Sequence, residues 1–359
     1  MEDRAEQYYN EGVNFLVHGR ASEAVASFDR AIAINPDYAT AWHNRGAALF
    51  ALGQYSEAVA SFDKAIAIKP DYATMWHNRG LALFALGQYS EAVASFDKAI
   101  AINPDYATAW HNRGAALFAL GQYSEAVASF ERAIAIKPDF DAAWNNRGLA
   151  LDNFGRHTEA LASYDKAIAI KPDFAKAWNN RGLALDNFGR HTEAVASFDK
   201  ALAIDPNYAD AWYNHGIALG KLGRYTDEVV SYDKAIAINP DYADAWYNRG
   251  LAQDTFGRHT EAVASFDKSL AIKPDFDVAW YNRGFALGNL DLYAEAIASY
   301  DKAIVINPDF SKAWYNRGVA LGELGRYTEA VDSYDKAIAI NPNYTNAKQN
   351  REIALKKQT

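Results

Sequence analysis

Eleven asparagines stand 34 residues apart: Asn10, Asn44, Asn78, Asn112, Asn146, Asn180, Asn214, Asn248, Asn282, Asn316 and Asn350. A carboxamide carries two N–H donors and an acceptor oxygen, so it can pair with a peptide unit without reading the attached side chain. If the helices bearing them pack about 10 Å apart, an extended chain rising about 3.3 Å per residue meets one asparagine at roughly every third residue. The neighbouring positions change in blocks. His43, His77 and His111 accompany Phe50, Phe84 and Phe118; Asn145 and Asn179 accompany Asp152 and Asp186; Tyr213, Tyr247, Tyr281 and Tyr315 accompany Asp210, Asp244 and Asp254. The aromatic block suits apolar side chains of a ligand, and the acidic middle suits lysine or arginine. Three histidines on helices about 10 Å apart cannot reach the roughly 2 Å ligand distances of a zinc site, so neither metal nor cofactor is expected.

A 34-residue unit, seen most plainly in Ala107 to Phe140, positions these residues. Its ten prolines, Pro36 to Pro342, and nine tryptophans, Trp42 to Trp314, each fall once per period, which marks a repeat array. The units are 5–38, 39–72, 73–106, 107–140, 141–174, 175–208, 209–242, 243–276, 277–310 and 311–344, followed by 345–359. Numbering starts three residues before each tryptophan, so that Trp110 is position 4 and Asn112 position 6. Apolar or small residues at positions 4, 8, 11 and 14, and again at 20, 21, 24, 27 and 28, have helical spacing and predict two amphipathic helices per repeat. Glycine at position 15 suits a left-handed turn between them, and Ser or Thr at 18 is the expected cap of the second helix. Proline at 32 ends that helix, and Asp at 33 is expected to start the next. Glycine at 8 and alanine at 20 allow close helix approach, with the tryptophan filling the space beside them.

Since each unit touches only its neighbours, 359 residues need no single large core, and one elongated domain is expected. The net charge of -9, without a lysine or arginine run, argues against tracking a phosphate backbone, so nucleic acid is not an expected partner. There is no cysteine and hence no disulfide or thiolate chemistry. The start, MEDRAEQYYN, lacks the apolar stretch of a secretory signal, and no window approaches a membrane span. A soluble, cytoplasmic protein without membrane contact is the expectation.

Trp76, Gly80, Ala92, Phe96, Ala99 and Pro104, at positions 4, 8, 20, 24, 27 and 32, recur in phase over residues 5 to 344. In this series the chain resembles the tetratricopeptide repeat (TPR) family. The resemblance implies an all-α TPR solenoid, a right-handed superhelix of helical hairpins, closed by a C-terminal capping helix at 345–359. It implies that position 6 faces an inner groove, where a row of asparagines can hold the backbone of a bound peptide. A copied helix-stacking asparagine is the alternative reading. The familiar TPR clamp for a C-terminal carboxylate is not expected, because position 5 never carries lysine and position 6 never arginine.

Arginine at position 7, from Arg45 to Arg351, always follows a repeat with acid at position 25, from Asp29 to Asp335. Arg-to-acid pairs between repeats are therefore predicted, fixing stacking geometry. Repeat seven departs most, with His215 for the arginine, Gly220 on the groove side and Glu228 for alanine at position 20. Glu228 needs a partner, for which His215 is the candidate, or a route to water. The function expected is a non-enzymatic scaffold that grips a protein or an extended peptide, with basic residues in the partner. Two other readings stay open: a self-assembling array forming homo-oligomers through its ends or groove, and a targeting arm of a larger enzyme complex.

Overall fold

The computed structural model describes residues 2–358. Its 21 elements are all α-helices, from Glu2–Val17 to Thr345–Lys357, and the described residues contain no strand. None of these helices is long and apolar enough to cross a membrane. The chain divides into two compact units, the first ending at Ala184 and the second starting at Leu185. Within each, helices pack on their sequence neighbours as stacked hairpins.

The first helix of a repeat covers positions 1 to 13 and the second 17 to 30, as in Ala39–Ala51 and Tyr55–Ile68. Between them the position-15 glycines hold φ from 71° to 83°, the left-handed region that a side chain disfavours. Asp291 takes this place in repeat nine at φ 58°, and its carboxylate accepts a hydrogen bond from the Tyr293 hydroxyl at 2.6 Å. Its tolerance of this conformation follows from its short polar side chain.

The caps are not those expected. The second helix begins at position 17, ahead of the Ser or Thr at 18, and the residue preceding it makes no side-chain cap bond. Arg20, Arg156, Arg190, Arg224 and Arg326 at that place pair with the acid three residues on, Arg190 with Glu193 at 2.6 Å. Position 33 likewise lies inside the connecting turn, and the cap of the next helix is the aromatic residue at 34, Tyr38 for example.

Glycine at position 8 serves the aromatic ring at position 24. A Cβ on Gly114 would stand 2.7 Å from the Phe130 ring, and the equivalent clash recurs at Gly12, Gly46, Gly80, Gly148, Gly216, Gly250, Gly284 and Gly318. Alanines at positions 3, 10, 20 and 27 fill the interior, Ala109, Ala116, Ala126 and Ala133 having no exposed surface. Position 14, expected inside, is exposed: Leu120 keeps 39% of its surface. The tryptophans are half-buried, so they do not deliver full burial of an indole. Each instead donates its indole N–H to the carbonyl of the preceding proline, at 2.9 Å from Trp42 to Pro36, a use of one apolar body with one polar tip.

The last helix, Thr345–Lys357, buries Ala347 and Ala354, while Ile353 and Leu355 stay exposed. Repeat eight carries two polar substitutions in its interior. Gln253 is satisfied by Ser265, whose hydroxyl donates at 2.6 Å. The hydroxyl of Ser269, at a position that is alanine in the other repeats, is buried without a hydrogen-bond partner. An unmade buried hydrogen bond costs about 1–3 kcal/mol. Ser269→Ala is therefore expected to stabilise the chain by about 1 kcal/mol, read as a higher urea midpoint, whereas an unchanged or lower midpoint would show that the hydroxyl is paired in solution.

Candidate functional site

The asparagine row is built into the stack. Nine of its amides donate to the position-5 residue of the repeat before, 35 residues upstream. Asn78 reaches His43 Nε2 at 2.8 Å, Asn112 reaches His77 at 2.9 Å and Asn146 reaches His111 at 3.0 Å. Asn180 reaches the Asn145 oxygen at 3.1 Å. Asn44, Asn248, Asn282, Asn316 and Asn350 reach the hydroxyls of Tyr9, Tyr213, Tyr247, Tyr281 and Tyr315 at 2.9 to 3.1 Å. In the first unit the bonds link up, because His77 and His111 also donate from Nδ1 to the oxygens of Asn78 and Asn112 at 3.3 and 3.2 Å. A hydrogen-bonded spine thus runs from Asn180 through Asn145, Asn146, His111, Asn112, His77 and Asn78 to His43.

The position-5 side chains are consequently packed between helices. His77, Asn145 and Asn179 are buried, contrary to their expected place on an open groove face. Tyr213 lies 4.9 Å from Tyr242 and 6.0 Å from Tyr232 between ring centroids, and Tyr247, Tyr281 and Tyr315 repeat that packing. The ladder asparagines themselves remain partly exposed, and a carboxamide carries a second N–H beyond the one that each inter-repeat bond uses. Burial pushes the pKa values of His43, His77 and His111 down, opposed by the asparagine hydrogen bonds.

The position-7 arginines pair as predicted. Arg45 Nε donates to Asp29 at 2.6 Å, and the same bond joins Arg79 to Asp63, Arg113 to Asp97, Arg249 to Asp233, Arg283 to Asp267 and Arg317 to Asp301. The second arm was not legible: Arg45 Nη1 donates to Ser61 of its own repeat at 2.7 Å, so one guanidinium ties three helices. In repeat seven His215 keeps both contacts, to Ser231 at 3.0 Å and to Asp199 at 3.3 Å. It is therefore not the partner of Glu228.

Positions 12 and 17 travel together and decide the texture of the face beside the asparagines. Phe50, Phe84 and Phe118 pack on Tyr55, Tyr89 and Tyr123 at 5.2 to 5.3 Å. Asp152, Asp186 and Asp254 pair with His157, His191 and His259 at 2.5 to 2.7 Å. Asp186 is buried and also receives Lys221 at 2.7 Å, so a carboxylate expected to await a basic ligand has its cations within the chain. In repeats seven, nine and ten, position 12 is Gly220, Gly288 or Gly322, and each fronts an opening beside a ladder asparagine. The volumes are about 340, 220 and 150 Å³, and the asparagines are Asn248, Asn316 and Asn350. Gly220 leaves room for the Glu228 carboxyl, 2.7 Å from where its Cβ would be. That carboxyl accepts from the Tyr232 hydroxyl at 3.3 Å, and burial raises its pKa.

Comparison with known proteins gives one family. Models described as TPR repeat or tetratricopeptide repeat match residues 18–53, 48–87, 80–121 and 221–254, 116–173 and 145–209, 197–229, 243–276, and 278–310 and 311–344. No curated protein matches. Among solved structures, a tetratricopeptide repeat protein from Parabacteroides merdae is 18% identical, with a TM-score of 0.55 over 70% of this chain and 97% of its own. YrrB, described as a TPR protein with an unusual peptide-binding site, is 27% identical with a TM-score of 0.44, over 52% of this chain and 97% of its own. MamA is 25% identical with a TM-score of 0.44, over 46% of this chain and 96% of its own.

The lowered histidine values carry a sign. In the folded chain the imidazoles stay neutral below 6.5, where the unfolded chain already takes up protons, so stability is lost as pH falls through that interval. Tyrosine, which accepts from the same asparagine in repeats eight to ten and the last helix, removes the titration. A variant with His43→Tyr, His77→Tyr and His111→Tyr is expected to gain stability over wild type as pH falls from about 7 to about 5. Parallel urea-midpoint curves for the two proteins would contradict the burial of these rings.

Proposed function

The chain belongs to the tetratricopeptide repeat family, whose fold is typical of non-catalytic interaction scaffolds, and from that premise we propose that it binds an extended segment of a partner protein along the asparagine row. One observation carries the reading. Asn44, Asn78, Asn112, Asn146, Asn180, Asn248, Asn282 and Asn316 each spend one hydrogen-bond donation on the neighbouring repeat, while their side chains stay partly exposed. A second N–H and a carbonyl lone pair are thereby fixed in orientation before a ligand arrives, which lowers the ordering cost of binding. The recurrence of this group once per repeat suits a ligand of repeating chemistry, and a peptide main chain has it. Asn44, Asn78, Asn112, Asn146, Asn180, Asn214, Asn248, Asn282 and Asn316 are the proposed backbone contacts. Side-chain preference falls to the openings and rings beside them, Phe50, Phe84 and Phe118 included.

Structural and binding roles of the asparagine are separable. Tyr213→Phe, Tyr247→Phe and Tyr281→Phe together remove the hydroxyls that Asn248, Asn282 and Asn316 bond, and keep the amides. Asn248→Ala, Asn282→Ala and Asn316→Ala remove the amides as well. Peptides recovered from a random display library on the intact chain are the probes. Their affinity is expected to fall about tenfold or more in the asparagine variant and less than about threefold in the tyrosine variant. Both variants should lose stability by about 0.5–1.5 kcal/mol per bond. Equal affinity for wild type and the asparagine variant would assign the asparagines to stacking alone.

A further inference from the structure

The opening before Gly288 lies between the first helices of repeats nine and ten, Asp277–Asn289 and Ser311–Glu323. The rings of Phe285, Tyr293 and Tyr300 line it together with Asn316 and Glu323. Glu323 is the one charged residue that lines it, and Phe285 is 43% exposed. Tyr293 gives its hydroxyl hydrogen to Asp291, so a second carboxylate adds to the negative field on the ring.

The chain itself shows what such a place accepts. One repeat later, Lys357 occupies the position of Glu323, and its ammonium lies 5.4 Å over the ring of Tyr327, the counterpart of Tyr293. Lys221, again at position 13, sends its ammonium to Asp186 of the repeat before at 2.7 Å. Twice, then, an ammonium from within the chain fills the space between position 13 of one repeat and positions 12 and 17 of its predecessor. Before Gly288 the same ring is present, a carboxylate replaces the lysine, and no basic residue lines the space.

We propose that this pocket takes the side chain of a lysine from the bound segment, with the ammonium over Tyr293 and against Glu323 and the segment's main chain beside Asn316. The assignment rests on the groove reading above and names the partner's chemistry. An ammonium over a tyrosine face is attracted by the ring quadrupole, and the adjacent carboxylate adds charge pairing. An apolar side chain of equal length would leave Glu323 facing an uncharged group.

Two variants test it without dismantling the fold. Gly288→Phe installs the residue that repeats two to four already carry beside a position-17 tyrosine. Glu323→Gln keeps the shape and removes the charge. A random dodecapeptide display library selected on the intact wild-type chain is expected to enrich lysine at one position about tenfold over selections on either variant. Changing that lysine to norleucine in a recovered peptide should weaken binding about tenfold on wild type and little on Glu323→Gln. Lysine enrichment that persists on both variants, or arginine enriched in its place, overturns the assignment. Peptides that bind and are lost on Asn316→Ala, yet show no preference for a basic residue, overturn it and leave the groove reading standing. A library from which wild type retains nothing removes both.

Discussion

The bond from a position-6 amide to an acceptor on the preceding repeat, made by nine of the asparagines, is the constraint on which the rest depends. A single repeat cannot bury its apolar faces alone, so its stability comes from its neighbours. The asparagine bond fixes how those neighbours meet. Its acceptor is an imidazole nitrogen at His43, a carboxamide oxygen at Asn145 and a phenol oxygen at Tyr213. What is held constant is therefore an acceptor at a given reach, and position 5 can vary while position 6 cannot. In the first unit the donors run in one direction from Asn180 to His43, an alignment in which each bond polarises the next.

Around this spine the frame is tightened by groups that each serve more than one helix. A position-7 arginine joins the acid of the preceding repeat to the serine of its own, and the serine passes its hydrogen to a carbonyl one turn back, as Ser61 does to Glu57. The guanidinium also stands 5.6 to 5.9 Å over the tryptophan at position 4 in seven repeats. Such partly exposed pairs are weak singly, but their geometry repeats, and repetition of a fixed angle is what a stacked array requires. Texture is varied elsewhere, in matched pairs at positions 12 and 17, so that the face beside the asparagines can be aromatic, ionic or open without disturbing the frame.

The period, the helix pair, the glycine turn and the arginine-to-acid pairing were legible because each rests on a local rule or on a pair that recurs in every repeat. The caps were misread because Ser at 18 and Asp at 33 are good capping types, while the actual boundaries follow packing of Tyr38 and its equivalents. The place of His77 and Asp186 was hidden for a different reason. A groove position and a spine position lie one residue apart on the same helix, and only the neighbouring repeat decides which is buried. The link between Asp152 and His157 was written in the sequence as covariation of positions 12 and 17, whereas the tyrosine at 17 stands beside either phenylalanine or glycine at 12, and it is the glycine alone that marks the open pocket at Gly288. Glu228 was recognised as needing a partner, but Tyr232 lies on its own helix and Gly220 makes its room, relations that periodicity does not reveal.

The measurement that bears most directly on the double role of the asparagines is side-chain amide NMR of the asparagine-labelled chain, with and without a bound peptide. The account predicts that in the free protein one hydrogen of each ladder amide is protected from exchange by its inter-repeat bond, and that saturating peptide shifts the other hydrogen in successive repeats. Amides whose two hydrogens exchange alike in the free protein, or whose resonances stay in place when the peptide is bound, would contradict it.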